Sequence, residues 1–235
     1  GNTRAPMPFD PCISLIHTPP AGRDLYAAAV PHAAGRSEAP PTPVIQYAGM
    51  IGDQFEIGTL FASRAAMQTM FLSYTLPEGQ REMIEQNKPT DLSREELEME
   101  HIFIEESVAA QPYGLHPAGT IAGFASGEVR PSPEDYWALY DEEDWFERSI
   151  EGRIAHIAYL EAGAIRIIEF WENREVGSAW HHENVVPKFN ARVPDGITPE
   201  RMMGDWIELD YFMVGAPEGD RVRNFVRRTP GELPD

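Results

Sequence analysis

Residues 153–190 read RIAHIAYLEAGAIRIIEFWENREVGSAWHHENVVPKFN, and this stretch decides the fold. Two apolar runs, 154–160 and 165–171, flank Ala162-Gly163, a pair that favours a tight turn between antiparallel strands. Asn173 then takes a helix N-cap position, and Pro187 marks the predicted end of that helix. The stretch therefore predicts a β-hairpin followed by a capped helix.

A weaker copy of this pattern lies 110 residues upstream. Two apolar runs, 44–50 and 55–61, flank the turn-forming pair Gly52-Asp53, and Ser63 is placed as N-cap of a following helix. A constant shift of 110 positions places the predicted strands, turns and caps of the first half on those of the second half without a gap. We interpret this shared register as a tandem duplication.

Each half reads in the order strand, helix, strand, strand, helix, strand. This order is typical of a ferredoxin-like unit, a four-stranded antiparallel sheet with both helices on one face. The other face of each sheet needs a cover, and the partner sheet is the simplest one. We therefore expect an α+β protein whose two tandem ferredoxin-like βαββαβ units form an intramolecular α/β-barrel-like sandwich with a cavity between the sheets. The predicted division is coil at 1–10, repeat 1 at 11–107, a linker at 108–118, repeat 2 at 119–215 and a tail at 216–235.

The last strand of each half carries acidic residues. Ser93 to Glu96 matches a capping box that predicts one helical turn, and residues 97–104 then begin as the strict alternation of a strand with one buried face. We interpret the acidic residues as charges that protect an exposed sheet edge, although a carboxylate pair could also serve acid–base chemistry or a cation. They are Glu98, Glu100, Glu208 and Asp210.

Composition excludes several classes of partner. The chain has 38 acidic and 19 basic residues and a net charge of −19, so nucleic acid and anionic membranes are poor partners and a small molecule is the better expectation. The apolar runs are too short for a membrane-spanning helix. Cys12 is the only cysteine, which excludes an internal disulfide and favours a reducing, cytoplasmic location. A homodimer is compatible with the sequence but not required by it.

Trp171-Glu172-Asn173-Arg174-Glu175, a later helix histidine (His181 or His182) and Pro187 resemble the antibiotic biosynthesis monooxygenase family of the dimeric α/β-barrel superfamily. The resemblance covers roughly residues 119–215 and implies a ferredoxin-like barrel with a pocket. Members of the family oxygenate aromatic polyketides without a cofactor or degrade haem, and related folds isomerise or cyclise their substrates. Asn190 stands where the haem-degrading branch has a histidine, which argues against that activity.

Two histidines and an arginine are the candidate catalytic residues. His156 lies on a predicted strand, where a neutral imidazole could accept a proton from a phenol or a carbon acid, or could simply be a core residue. His181 is the better match to the family histidine, with a helix surface as its alternative. Arg166 could hold a carbonyl or anionic oxygen, or be exposed. The second half also concentrates aromatic residues that could line a substrate pocket: Tyr136, Tyr159, Trp171 and Trp180.

Two functions follow from these residues. The first is a cofactor-independent oxygenase, or an enzyme of the cyclase or isomerase type, that binds a small apolar or aromatic, polyketide-like compound in the second half. The second is a non-catalytic ligand-binding or assembly module. Metal-ligand spacing, a GxGxxG motif and a P-loop are all missing from the sequence, so we expect neither a cofactor nor a metal.

Overall fold

In a computed structural model of the chain, the structure describes residues 10–24, 43–73, 82, 86, 92–106, 114–115, 121–143, 148–191, 203–215 and 223–227. The strands in these ranges are β1 (Cys12–Thr18), β2 (Ile45–Ile51), β3 (Gln54–Phe61), β4 (Ser93–Ile104), β5 (Gly114–Leu115), β6 (Ala122–Ala125), β7 (Arg153–Glu161), β8 (Ala164–Trp171), β9 (Asp205–Val214) and β10 (Asn224–Val226). The helices are α1 (Arg64–Ser73), α2 (Pro133–Glu142), α3 (Arg174–Trp180) and α4 (Val186–Asn190), and a π-helical turn (His181–Val185) joins α3 to α4.

Eight of these strands close into one antiparallel barrel. Their order is β1-β3-β2-β9-β6-β8-β7-β4, and β4 pairs with β1 to complete the ring. The short strands β5 and β10 add to β9 and β4 respectively. A closed barrel leaves none of its eight strands as a free edge.

The expected α+β fold, with two ferredoxin-like βαββαβ units packed face to face as a sandwich, is wrong. The two halves meet edge to edge instead, because β2 hydrogen-bonds to β9 and β4 hydrogen-bonds to β7. The result is one closed, mostly β barrel with four α-helices in its described part. Strand pairing across the two halves therefore replaces the stacking of two separate sheets.

The long strands β4 and β9 join the halves. Residues 93–98 of β4 pair with β1 and residues 99–104 pair with β7, with an irregularity between Met99 and His101. In the same way β9 pairs first with β6 and then with β2. The predicted helical turn at Ser93 is wrong, because β4 begins there, and the predicted exposed edge is wrong as well. Two of the acidic residues instead bind one arginine, since Arg23 donates to Asp210 at 2.5 and 2.6 Å and to Glu208 at 3.4 Å.

The pairing registers across the two seams repeat with the 110-residue offset. Ile102 on β4 lies opposite Ile157 on β7. Phe212 on β9 lies opposite Tyr47 on β2, and these two positions are 110 residues after and before the first pair. The offset that was visible in turns and caps is thus also present in hydrogen bonds between strands.

The barrel has a packed interior and a helix-covered outside. Successive side chains of a strand point to opposite faces, and one buried cluster draws residues from all eight barrel strands, which identifies it as the interior. A second buried cluster joins α2 and the outer face of β7 and β8. The interior cluster includes Ile13, Tyr47, Leu60, Met99, Ala125, Ile157, Phe170 and Leu209.

The local signals of the sequence are confirmed where the structure describes them. The Ser63 hydroxyl accepts a hydrogen bond from the Ala66 N–H at 3.0 Å, and the Asn173 side chain accepts one from the Val176 N–H at 2.9 Å. Strands β5 and β10 fall within the ranges assigned to the linker and the tail. The helix predicted to run from Arg23 lies outside the described residues beyond position 24.

In the described part of the chain, every helix is too short or too polar to cross a membrane.

Candidate active site

Five buried side chains form a continuous hydrogen-bonded chain, here named the relay, on the outer face of the barrel. His101 Nδ1 lies 2.8 Å from the Tyr136 hydroxyl oxygen, which lies 2.8 Å from His156 Nε2. His156 Nδ1 lies 3.3 Å from one oxygen of Glu169, and His181 Nε2 lies 2.7 Å from the other. Each of the five residues is at most 6% exposed. The relay therefore connects four titratable groups and a phenol in a dry layer.

The β-hairpin and its neighbour strand position three members of the relay. His156 on β7 is the direct cross-strand partner of Glu169 on β8, a register fixed by the turn at Ala162-Gly163. Both turn residues have positive φ, +50° and +79°, as tight hairpin turns require. His101 on β4 lies beside β7, and its ring centroid is 5.2 Å from that of His156.

The helices supply the other two members. Tyr136 lies in the first turn of α2, whose N-cap Ser132 accepts a hydrogen bond from the Asp135 N–H at 3.1 Å. His181 is the first residue of the π-helical turn and is 3% exposed, whereas its neighbour His182 is exposed. Wider π-helical turns often occur at functional sites. Here the turn follows a residue whose imidazole reaches the buried carboxylate.

The hydrogen bonds define where the protons lie. A carboxylate only accepts, so both imidazoles at Glu169 donate to it, His156 through Nδ1–H and His181 through Nε2–H. Neutral His156 then accepts at Nε2, and Tyr136 donates its hydroxyl proton there. The Tyr136 oxygen in turn accepts from His101 Nδ1–H. Every member of the relay has a consistent role in this one arrangement.

The buried environment shifts the pKa values of the relay. Burial alone would raise the pKa of Glu169, but the hydrogen bonds from His156 and His181 outweigh it and hold the pKa well below its usual value. Burial lowers the pKa of His156, although Glu169 opposes that shift. Burial also lowers the pKa of His101 and raises that of Tyr136. At neutral pH the relay therefore holds one carboxylate and a neutral His156, His101 and Tyr136.

Four aromatic rings surround His181 and are here named the aromatic cage. Their centroids lie 4.4 to 5.8 Å from that of the imidazole. Two buried nitrogens of this region make no hydrogen bond to any described residue, namely Nδ1 of His181 and the indole Nε1 of Trp171. The cage thus holds one acceptor and one donor that a ligand could use. Its rings are Phe124, Trp171, Trp180 and Trp206.

Gly177 allows α3 to approach the cage. A Cβ at this position would lie 2.6 Å from the Trp206 ring and 2.7 Å from Trp171 Cγ. Trp206 is half-buried and could shift, but Trp171 is fully buried and cannot. We expect Gly177→Ala to cost about 1 to 2 kcal/mol of stability, because overpacking exceeds the gain in helix propensity.

Urea denaturation followed by tryptophan fluorescence measures this loss. Ser178→Ala, at the half-buried next position, is the matched control and should unfold at nearly the wild-type midpoint. A Gly177→Ala protein as stable as the wild type would mean that α3 does not pack on Trp171 as described.

The buried histidines predict a loss of stability in acid. His156 and His101 have lowered pKa values in the folded state, so below the model value of 6.5 the unfolded chain binds protons that the folded chain does not. Stability contributed by these groups is therefore present above that pH and lost as the pH falls. Each contributes a slope of about 1.4 kcal/mol per pH unit.

His156→Gln tests this slope, because the amide can still donate to Glu169 and accept from Tyr136. Between about pH 5 and about pH 6, the free energy of unfolding of this variant should change with pH by roughly one proton less than in the wild type. Gln46→Ala, which removes no titrating group, should keep the wild-type slope. An unchanged slope in His156→Gln would contradict a buried neutral imidazole.

Five of the seven residues expected at the site lie together. His156, His181 and Tyr136 belong to the relay, and Trp171 and Trp180 belong to the aromatic cage. Their location differs from expectation, because they lie between the barrel and its helices and not in a cavity between two sheets. Their functional roles remain predictions.

Arg166 and Tyr159 lie on the other side of the sheet, in the barrel interior. Arg166 Nη1 donates to Glu56 Oε1 and to the Tyr159 hydroxyl, both at 2.6 Å. Burial would raise the pKa of Glu56, but His17 and Arg166 lower it to about 2. The arginine is thus neither exposed nor close to His156: it belongs to a separate buried ion pair.

Glu169 and His101 are the relay members that the sequence did not single out. Glu169 interrupts the apolar run IRIIEFW on the strand opposite His156, so the hairpin register alone would have paired the two residues. His101 gives no such signal, because β4 reaches β7 from a distant part of the chain. Local pairing could have revealed the first residue but not the second.

The first half has a different pair at the corresponding positions. Gln46 and Thr59 stand 110 residues before His156 and Glu169, and Gln46 Nε2 donates to the Thr59 hydroxyl at 3.2 Å. Neither side chain titrates. The acid–base groups of the relay thus have only a neutral counterpart there, which supplies matched control positions.

Within the described ranges, no group of three or more His, Cys, Asp or Glu side chains is placed to hold a metal ion.

The fold and the site define a closed antiparallel β-barrel with a buried acid–base relay beneath its outer helices. Its overall structure resembles a proposed monooxygenase from Fusobacterium nucleatum, with a TM-score of 0.66 and 12% identity over 94% of this chain and all of that one. It also resembles a proposed monooxygenase from Lactobacillus acidophilus, with a TM-score of 0.59 and 13% identity over 88% of this chain and 97% of that one. No family model and no curated protein matches the sequence. These likenesses show a shared fold.

Proposed function

We propose that the protein is an oxygenase-type enzyme in which His181, oriented by Glu169, is the general base toward a small aromatic compound. One observation carries the proposal: a buried acceptor, His181 Nδ1, and a buried donor, Trp171 Nε1, are both without a hydrogen bond among the described residues of one aromatic cage. Buried polar groups are nearly always paired, so such a site favours a ligand with complementary groups.

His181 is a better base than His156 on geometric grounds. Both ring nitrogens of His156 are occupied, one by Tyr136 and one by Glu169. The hydrogen bond of His181 to Glu169 uses Nε2, which leaves Nδ1 as an acceptor facing other partners. When Nδ1 takes a proton, the imidazolium that forms is stabilised by the carboxylate 2.7 Å from Nε2.

His156, Tyr136 and His101 have a supporting role in this proposal. His156 donates to the second oxygen of Glu169 and so fixes the plane of the carboxylate that orients His181. Tyr136 and His101 in turn fix the tautomer of His156. A residue that is held in place by such contacts loses less entropy when the substrate binds.

The chemistry of the cage favours a phenol, an enol or a related carbon acid as substrate. A hydroxyl group can donate to His181 Nδ1 and accept from Trp171 Nε1 at the same time. Flat rings can stack on the half-buried Trp180 and Trp206, which lie at the more exposed side of the cage. An acidic CH₂ group next to such a hydroxyl would lose its proton to His181.

Molecular oxygen is the proposed second substrate. A deprotonated aromatic carbon acid can pass electrons to oxygen, and R₂CH₂ plus O₂ then gives R₂C=O plus H₂O, with atoms and electrons balanced. The two structural neighbours are themselves proposed monooxygenases, which supports an oxygenase over a cyclase or isomerase. The proposal requires no added cofactor.

The test is turnover of a panel of phenolic, polyketide-like compounds under air and under argon, with products identified by mass spectrometry. We expect an oxygenated product under air that is absent under argon and contains one atom of ¹⁸O when ¹⁸O₂ is supplied. A rearranged product in both gases would assign a cyclase or isomerase. Binding without any product would favour the ligand-binding module.

Thr59→Val provides the matched control for this experiment. We interpret the 110-residue offset as a tandem duplication, so Thr59 occupies the position that corresponds to Glu169. The control protein should form product at nearly the wild-type rate. Equal losses in Thr59→Val and Glu169→Gln would place the chemistry elsewhere in the barrel.

A further inference from the structure

We propose that Tyr136 is a redox-active tyrosine, which a one-electron oxidant converts into a neutral phenoxyl radical while its proton moves to His156. The phenol oxygen lies 2.8 Å from His156 Nε2, and the relay assigns the proton to Tyr136 and the accepting lone pair to the imidazole. The proton therefore needs to cross a single short hydrogen bond. This inference stands on the relay alone and does not require the proposed oxygenase activity.

The step balances in electrons and protons. Tyr136 loses one electron to the oxidant and its hydroxyl proton to His156 Nε2, and the oxidant gains that electron. The oxidant belongs to the class of oxygen-centred radicals or one-electron-oxidised metal complexes. His156 becomes an imidazolium whose Nδ1–H already points to Glu169, 3.3 Å away. Return of one electron restores the phenol and the neutral imidazole.

Both neighbours of Tyr136 favour a neutral radical over a bare phenoxyl cation. An oxidised phenol becomes strongly acidic, so the reaction is easiest where a base already accepts its proton. His156 supplies that base, and Glu169 stabilises the charge that results. His101 Nδ1–H remains hydrogen-bonded to the radical oxygen. Tyr136 is 1% exposed, which shields the radical from water.

Two other buried tyrosines are not placed for this reaction. The Tyr159 hydroxyl accepts from Arg166, and a guanidinium offers no lone pair for a proton. The Tyr47 hydroxyl donates to Glu56 at 2.7 Å, but the pKa of that carboxyl is held at about 2, so it is a weak base. Among these three tyrosines, only Tyr136 is hydrogen-bonded to an imidazole acceptor.

Aromatic rings on α2 continue from Tyr136 and offer a route for the electron. The Trp137 ring centroid is 5.2 Å from that of Tyr136, and the Tyr140 centroid is 5.1 Å from that of Trp137. Rings at such separations are in near van der Waals contact. An oxidising equivalent formed near α2 can therefore reach Tyr136 by short steps.

The experiment is photo-oxidation of the full chain with a ruthenium tris-bipyridine complex and a sacrificial electron acceptor, followed by freezing and EPR spectroscopy. We expect the spectrum of a neutral tyrosyl radical in the wild type, altered in width when the protein carries ring-deuterated tyrosine. We expect Tyr136→Phe to lose this signal. Tyr159→Phe removes an equally buried hydroxyl that lacks a base and should keep the signal.

His156→Gln provides a second test that retains the phenol. The amide can accept a hydrogen bond but cannot hold the proton, so the radical yield should fall several-fold at equal light dose. Circular dichroism checks that each variant is folded. A tyrosyl signal unchanged in both Tyr136→Phe and His156→Gln, or no tyrosyl signal in the wild type, would overturn the proposal. Because no substrate is added, failure here leaves the proposed function untouched, and failure of turnover leaves this result untouched.

Discussion

Replacing Arg166 with methionine is expected to lower the free energy of unfolding by about 3 to 5 kcal/mol, because it leaves a buried carboxylate without its cation. Glu56 is 1% exposed in the barrel interior, and Arg166 Nη1 lies 2.6 Å from its Oε1. Tyr47 and His17 also bind the carboxylate, at 2.7 and 2.6 Å, but neither replaces a permanent charge. Urea denaturation at neutral pH measures the loss.

A double-mutant cycle separates the ion pair from the packing of the side chains. Glu56→Gln in the Arg166→Met background removes the stranded charge, so the double variant should lose less stability than the sum of the two single variants. Arg94→Met removes an exposed partner of Glu96, 3.3 Å away, and should change stability by less than about 1 kcal/mol. Additive losses at Glu56 and Arg166 would contradict a coupled buried pair.

The ion pair matters because it links the two halves at the centre of the barrel. Glu56 lies on β3 of the first half and Arg166 on β8 of the second half, and the two positions differ by 110. Two identical halves would place like charges at this contact. The difference between the halves therefore stabilises their association within one chain.

Glu169→Gln is expected to lower kcat/KM by at least about 100-fold on any substrate that the wild type turns over, because general-base catalysis contributes about that much. The amide keeps the size of the side chain but removes the charge that stabilises the His181 imidazolium. It can also donate a hydrogen bond, so one of its two histidines must change tautomer. Steady-state rates as a function of substrate concentration measure the effect.

The loss should lie in kcat more than in KM, because Glu169 acts after the substrate is bound. Thr59→Val, at the corresponding position of the first half, should stay within a few-fold of the wild type. A similar effect of both substitutions would mean that Glu169 supports the barrel and not the reaction. A raised KM with unchanged kcat would assign Glu169 to substrate binding alone.

The sequence predicted local structure better than the overall arrangement. The turn at Ala162-Gly163 and the caps Ser63 and Asn173 depend on neighbouring residues, and all three are present. The partners of β4 and β9 depend on contacts between distant parts of the chain. Alternation shows that residues 97–104 form a strand with one buried face, but it does not show that β7 lies beside them.

The same distinction applies to the candidate site. His156 and Glu169 are paired by a hairpin that the sequence encodes locally, so the centre of the relay was within reach. His101, Tyr136 and His181 arrive from β4, α2 and the π-helical turn, and their meeting is a tertiary event. The barrel places His156 outside and Arg166 inside, and only the three-dimensional structure separates these two predicted partners.

Proton abstraction is the central claim, and hydrogen–deuterium exchange tests it most directly. An aromatic ketone with an acidic CH₂ group is incubated with the protein in D₂O under argon, and deuterium incorporation is followed by mass spectrometry. Without oxygen the substrate anion can only be reprotonated, so a general base reveals itself as catalysed exchange. We predict faster exchange with the wild type and with Thr59→Val than without protein, and little acceleration with Glu169→Gln. Exchange at the uncatalysed rate with a compound that the wild type oxygenates, or equal exchange in all three proteins, would contradict the assignment of His181 and Glu169.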